Sequence, residues 1–182
     1  MARAQAGLPR RSAMNTLLIW LARRRVPLGF ACAVIALWFA HPTPRTLALG
    51  SIVAMAGELV RLWAAGHLEK GREVTASGPY RFTRHPLYVG SSLIGAGIAL
   101  ASASVTVALL TAVYLTVTLS AAIRTEERHL TEKFGVAYPD YRDGRAIAGS
   151  RRFSLARAMR NREYRAVAGL AAALALLFWK VL

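Results

Sequence analysis

Between Gly78 and Gly90 the chain gathers Tyr80, Arg81, Arg84, His85 and Tyr88 around Pro79 and Pro86, then passes directly into an apolar stretch. A second apolar stretch ends in Arg124-Thr125-Glu126-Glu127. Cations beside the free N–H groups of a helix start hold a carboxylate. Carboxylates hold an ammonium group or ribose hydroxyls, and aromatic faces receive an adenine ring or a sulfonium. Together these groups describe a polar clamp for a zwitterionic ligand, provided the chain brings both clusters to one place. Taken alone, the paired glutamates equally describe a solvated helix end. One histidine and two carboxylates on a basic loop lack metal-ligand spacing, and no Ser/His/Asp arrangement is indicated.

The elements that must position these groups are apolar. Of 182 residues, 55% are hydrophobic, and the mean hydropathy is positive. Apolar stretches run over 26–40, 46–65, 86–101, 105–123 and 166–179. Several fall a little short of the roughly 20 residues that cross ~30 Å of hydrocarbon, but flanking turns extend them. So many stretches leave too little polar sequence to cover a soluble fold. The pattern predicts an all-α, polytopic membrane helical bundle of about five transmembrane helices, with a cytoplasmic cofactor pocket. One domain over 1–182 suffices.

The net charge of +15 suggests nucleic acid, but its distribution argues otherwise. Lys and Arg cluster before Val26, between His67 and Arg84, and between Arg124 and Arg165; Arg61 lies inside an apolar stretch, and only Arg45 and Lys180 remain for the opposite side. With a cytoplasmic N-terminus and five crossings, the three rich clusters all fall inside, as the positive-inside rule requires. Anionic lipid headgroups, not DNA or RNA, are the expected counter-charge. Cys32 is the only cysteine, which excludes a disulfide framework.

Arg23-Arg24-Arg25 interrupts the first apolar run, so 12–21 is read as a short interfacial helix or an extension of the first span rather than a cleavable signal. His41-Pro42-Thr43-Pro44 allows only an antiparallel pair. Glu58 and Arg61, three apart on one helix face, read as a mutually neutralised pair or as the polar wall of a cavity. Gly78-Pro79 signals a turn and Pro86 a helix start. Ser102-Ala103-Ser104 links two antiparallel helices, returning Glu126 and Glu127 to the side of His85. Ser91, Gly95 and Ala99 form a small-residue face for a neighbouring helix. The second helix of this hairpin continues to Phe134 and stops at Gly135. The segment 150–165 alternates cations with apolar residues, a pattern suited to lying on anionic lipid or closing over the site. The last span, 166–182, reads as plain anchoring.

The run Arg84-His85-Pro86-Leu87-Tyr88-Val89-Gly90, a helical hairpin, then Glu126-Glu127-Arg128-His129-Leu130 with Phe134-Gly135, Tyr138 and Tyr141 resembles the isoprenylcysteine carboxyl methyltransferase family. Gly66-His67-Leu68-Glu69-Lys70 and Thr75-Ala76-Ser77-Gly78-Pro79-Tyr80 are similar to its bacterial branch, and the related phospholipid N-methyltransferases share the outline. The resemblance spans 61–142. It implies a bacterial inner-membrane enzyme that binds S-adenosylmethionine in a cytoplasmic pocket roofed by the C-terminal part of the chain. Tyr80, Arg84, His85, Pro86, Leu87, Tyr88 and Gly90 would contact that cofactor, and Glu126 would hold its polar groups. Lys70, Val74 and Thr75 would line the same pocket. Arg124 would orient an acceptor carboxylate, and Glu127 or His85 would take a proton from an amine acceptor. A prenylated thiol or carboxylate, a phospholipid amine and a small hydrophobic metabolite all remain open as acceptors.

Two other readings stand beside this one. Membrane sterol and enone reductases carry a similar Arg-His-Pro-x-Tyr hairpin and use NADPH, commonly with an acid after the motif glycine, where this chain has Ser91. A non-catalytic scaffold or small transporter would favour polar groups at midplane rather than at one face.

Overall fold

The computed structural model describes residues 27–145 and 149–182, together with Trp20 and Arg24. Apart from Trp20, the interfacial helix expected at 12–21 lies outside the described residues. Every regular element among the described residues is helical. They are α1 (Pro27–Phe39), α2 (Pro44–His67), a 3-10 turn (Gly78–Arg81), α3 (Pro86–Ala101), α4 (Val105–Phe134), α5 (Ala137–Arg142), α6 (Leu155–Arg160) and α7 (Tyr164–Trp179). By length and composition α2 and α4 can each cross a membrane, whereas α1, α3 and α7 are apolar but shorter, at 10–17 residues.

Local chemistry sets the boundaries. Thr43 and Thr46 form a reciprocal cap at the start of α2, each side chain accepting from the other's backbone N–H (3.2 and 2.9 Å). Pro86 opens α3, where its missing N–H costs nothing. Gly135, at φ +53°, ends α4 directly after Phe134. The Val- and Thr-rich start of α4 is helical despite its strand propensity, since a lone strand would leave its backbone unpaired.

The interior is built of small residues. Ala40, Ala54, Ala64, Ala65, Ala101, Ala121 and Ala122 are buried, while Phe30, Trp38, Ile52, Leu59, Leu109 and Val113 point outward. A water-soluble fold buries its large apolar side chains. The inverse distribution fits a bundle whose surroundings are apolar and whose helices meet through small side chains.

The closest crossing is that of α2 with α3. A Cβ on Gly57 would sit 2.7 Å from the Gly90 carbonyl oxygen, and one on Gly97 would overlap Ala54; Gly50 likewise lies against Gly97 and Ala101. This antiparallel ladder puts the C-terminus of α2 beside the N-terminus of α3. Gly90, Gly97 and Ala101 form the face of α3 that meets α2, while the expected set of Ser91, Gly95 and Ala99 includes Gly95, where a second helix comes as close. Of the expected set, Gly95 instead packs on Leu115 and Thr111 of α4. Both faces of α3 are lined with small residues, so periodicity alone left the choice open.

The segment 150–165 does not lie free on the surface. The Arg157 guanidinium donates to Glu69 (2.8 Å) and to the Gly66 carbonyl, and Asn161 donates to the Ala65 and Leu68 carbonyls (2.9 and 2.8 Å). Ser154 N–H donates to Gly66 O (3.1 Å). These residues satisfy the last carbonyls of α2, which no helix can satisfy internally. Leu155 and Met159 remain exposed on the outer side of α6. At the other end of the bundle, the Lys180 ammonium donates to Leu37 O in the last turn of α1 and to Ala40 O just beyond it (2.8 and 2.6 Å). Thus α7 runs from the end of α2 to the end of α1.

Two outcomes follow. Gly57→Val forces apart backbones that touch, and is expected to cost about 3 kcal/mol, read as a lower melting midpoint in detergent. The hydrogen bond from Arg157, assisted by the charges of Arg160 and Arg151, holds the Glu69 carboxyl below its ordinary value of 4.5. Because the folded value is depressed, this stabilisation is complete above pH 4.5 and is lost as pH falls through the lower folded value. Limited proteolysis near Arg151 should therefore accelerate below pH 4.5 and slow again on neutralisation, and Glu69→Gln should show fast cleavage at every pH.

Candidate functional site

The face that carries the site gathers the end of α2, the 3-10 turn, the start of α3, the end of α4, and α5. Helix α4 has 30 residues against 16 in α3, so it overhangs the start of α3 by several turns. That overhang carries Glu126 and Glu127 past the Arg84–Tyr88 corner. The path from α2 to α3 turns at Gly78, whose φ of +57° suits glycine and whose missing side chain makes room for the His67 ring. His67 is itself buried, near Trp63 and Phe153.

His85 Nε2–H donates to Glu127 Oε1 (3.1 Å), and Arg84 approaches the same oxygen at 3.4 Å. Tyr88 O–H donates to Glu126 Oε2 (2.6 Å). The His85 and Tyr88 rings stack at 5.7 Å between centroids. The anion facing Arg84 and His85 is thus a carboxylate of the chain itself.

Three tyrosines wall this cluster. Tyr141 O–H donates to the Tyr80 carbonyl (2.7 Å), tying α5 to the 3-10 turn. Tyr138 is buried at 2% exposure, and that burial, reinforced by the Glu127 charge, pushes its phenol up to about 12. Burial pushes Tyr141 to about 12 as well, while burial and then Glu126 push Tyr80 higher still. All three stay protonated at ordinary pH, and of their hydroxyls that of Tyr138 has no hydrogen-bond partner among the described residues.

The structure brings together Tyr80, Arg84, His85, Tyr88, Glu126 and Glu127. The other residues singled out from the sequence make the following contacts. Pro86 is buried, the Leu87 carbonyl faces Arg61, and Gly90 packs on Gly57 and Arg61. Thr75 is buried and accepts from Glu69 N–H (3.2 Å). Val74 lines a depression of about 450 Å³ with Ser77 and Arg151; Lys70 lines another of about 270 Å³ with Arg72, Arg157 and Arg160. Arg124 is exposed on α4, with no ion pair among the described residues.

Sequence reading missed Glu163. The close partner of Arg61 is not Glu58, at 3.9 Å, but Glu163, at 2.7 Å. Glu163 is buried, and the Glu58 carboxylate oxygens have no hydrogen-bond partner among the described residues. The isolated Glu163, the lone acid in an arginine-rich segment, was the available signal. Among the described residues no group of three or more His, Cys, Asp or Glu side chains could hold a metal ion.

Comparison with known proteins adds the following. Residues 25–137 match the family described as phospholipid methyltransferase. The chain is 34% identical over 94 residues to the cobalt-zinc-cadmium resistance protein CzcN of Cupriavidus metallidurans, covering 50% of this chain and 44% of that protein. It is 34% identical over 88 residues to the nickel-cobalt-cadmium resistance protein NccN of Alcaligenes xylosoxydans xylosoxydans, covering 47% of this chain and 40% of that one. The chain thus spans less than half the length of these curated relatives. No solved structure matches.

A double-mutant cycle tests the contact between the two halves of the cluster. Tyr88→Phe and Glu126→Gln are expected to couple by about 1 kcal/mol in denaturation midpoints, the exposure of Glu126 keeping the value below that of a buried charged bond. Strict additivity would mean that the two side chains do not meet.

Proposed function

The chain belongs to the phospholipid methyltransferase family, and on that premise we propose that it is an integral membrane methyltransferase that uses S-adenosylmethionine. The observation that carries this reading is the convergence of His85 and Tyr88 with Glu127 and Glu126 across a helical hairpin. The donor set suits a zwitterionic nucleoside: carboxylates for ammonium or hydroxyl groups, Arg84 donors for a carboxylate, and tyrosine faces for a ring or an onium charge. When bound, the cofactor supplies an activated methyl group. The residues of the chain hold and orient the two reactants and exclude water.

The acceptor is proposed to be lipophilic, reaching the cluster from the bilayer. A carboxylate or thiolate acceptor needs no base. For a lipid amine, Glu127 or His85 at the cluster would take the proton. Five crossings, with the N-terminus and the cluster on the cytoplasmic side of a bacterial inner membrane, are supported by cations gathered on the site face. The metal resistance in the relatives' names belongs to those proteins and does not name an acceptor here.

Calorimetry on purified protein is expected to show binding of S-adenosylhomocysteine but not NADPH. His85→Ala and Glu126→Gln should each weaken it about tenfold while membrane insertion survives. Binding of NADPH alone would replace this reading with the reductase one. Methyl-labelled cofactor supplied to membranes should transfer label to an extractable lipophilic species, and that species identifies the acceptor.

A further inference from the structure

We propose that Arg61 and Glu163 are positioning residues for this site, a latch that fixes the first turns of α3 from behind; the inference rests on the functional reading above. Arg61 lies on α2, nearly two turns before the helix ends, and Glu163 immediately precedes α7. Their side chains meet at 2.7 Å, with Glu163 buried and Arg61 mostly so. The guanidinium has donors left over. One N–H group reaches both Ser91 Oγ and the Leu87 carbonyl (3.4 Å), and Ser91 O–H itself donates to Leu87 O (2.9 Å). Gly90 makes this possible, since a Cβ there would collide with the Arg61 side chain.

The arrangement links three places that are distant in the chain. Leu87 sits between His85 and Tyr88, the two residues that reach the glutamates on α4. A bidentate, planar donor set fixes orientation as well as distance. Glu163 in turn aligns the guanidinium and joins it to the segment that docks on the end of α2. Anchoring α7 alone would not require the remaining bonds to Leu87 and Ser91. Those bonds point at the motif turn.

A buried ion pair can often be exchanged for packed apolar residues without loss of stability, which separates holding the fold from orienting the turn. In purified full chain, the paired variant Arg61→Met/Glu163→Met, made with Glu58→Gln so that no buried carboxylate is left facing the lost guanidinium, is expected to keep its melting midpoint but to bind S-adenosylhomocysteine about tenfold more weakly. Ser91→Ala, which removes only the hydroxyl, should weaken binding about threefold with no change in midpoint. Wild-type affinity in the paired variant would overturn the proposal and leave a purely structural pair. Should that variant fail to fold, Ser91→Ala decides: wild-type affinity there overturns the proposal. Absence of binding in the unaltered protein, or unchanged binding in His85→Ala, would instead remove the functional reading on which the latch rests.

Discussion

Helices α2 and α3 touch through their backbones because glycine occupies both sides of the crossing at Gly57 and Gly90, and again around Gly50 and Gly97. No side chain cushions the contact, so neither helix can slide or rotate without a clash. Dispersion between densely packed atoms, summed along the crossing, is what remains to hold helices together where the surroundings are already apolar. Much of the site face depends on this. The crossing places the Arg61 side chain against the start of α3. It obliges residues 68–85 to fold back beneath the end of α2, and it fixes the corner from which His85 and Tyr88 project.

Charge follows from the same geometry. The last carbonyls of α2 emerge where three segments converge, and Arg157 and Asn161 supply the missing donors. Glu69 is shared among Arg157, Arg151 and Arg160. The basic composition that first suggests a polyanion partner is therefore spent partly on internal structure, with cations tying the C-terminal segment to the end of a long apolar helix. The acids are few, and some are shared between cations. Glu127 faces both Arg84 and His85, and Glu163 faces Arg61.

Much of this was legible in the residues. Pro86 fixes φ at a helix start, Ser104 caps the helix that follows the Ser102-Ala103-Ser104 turn, and Gly135 takes the positive φ that ends a helix. From those marks alone, the paired glutamates had to return towards His85. Other features had no local signature. The choice between two small faces of α3 depends on which helix arrives with glycines of its own. The closer partner of Arg61 lies 102 residues away, whereas Glu58, its longer partner at 3.9 Å, sits on the same helix face and is the one that spacing suggests. The amphipathic pattern of 150–165 suggested an interfacial segment and gave no sign of the helix end on which it docks, since an open helix end and a lipid headgroup both attract arginine.

Helix α4 is continuous from Ser104 to Phe134, and this makes it a lever. From the turn at its foot to Glu127 is about 35 Å at 1.5 Å per residue, so a lean of roughly 5° carries the carboxylates about 3 Å sideways. That displacement matches the length of a hydrogen bond. The Tyr88 and His85 contacts therefore register the inclination of a rod whose flank is exposed along Leu109, Val113 and Val117. Any force borne by that flank therefore bears on how tightly the carboxylates seat.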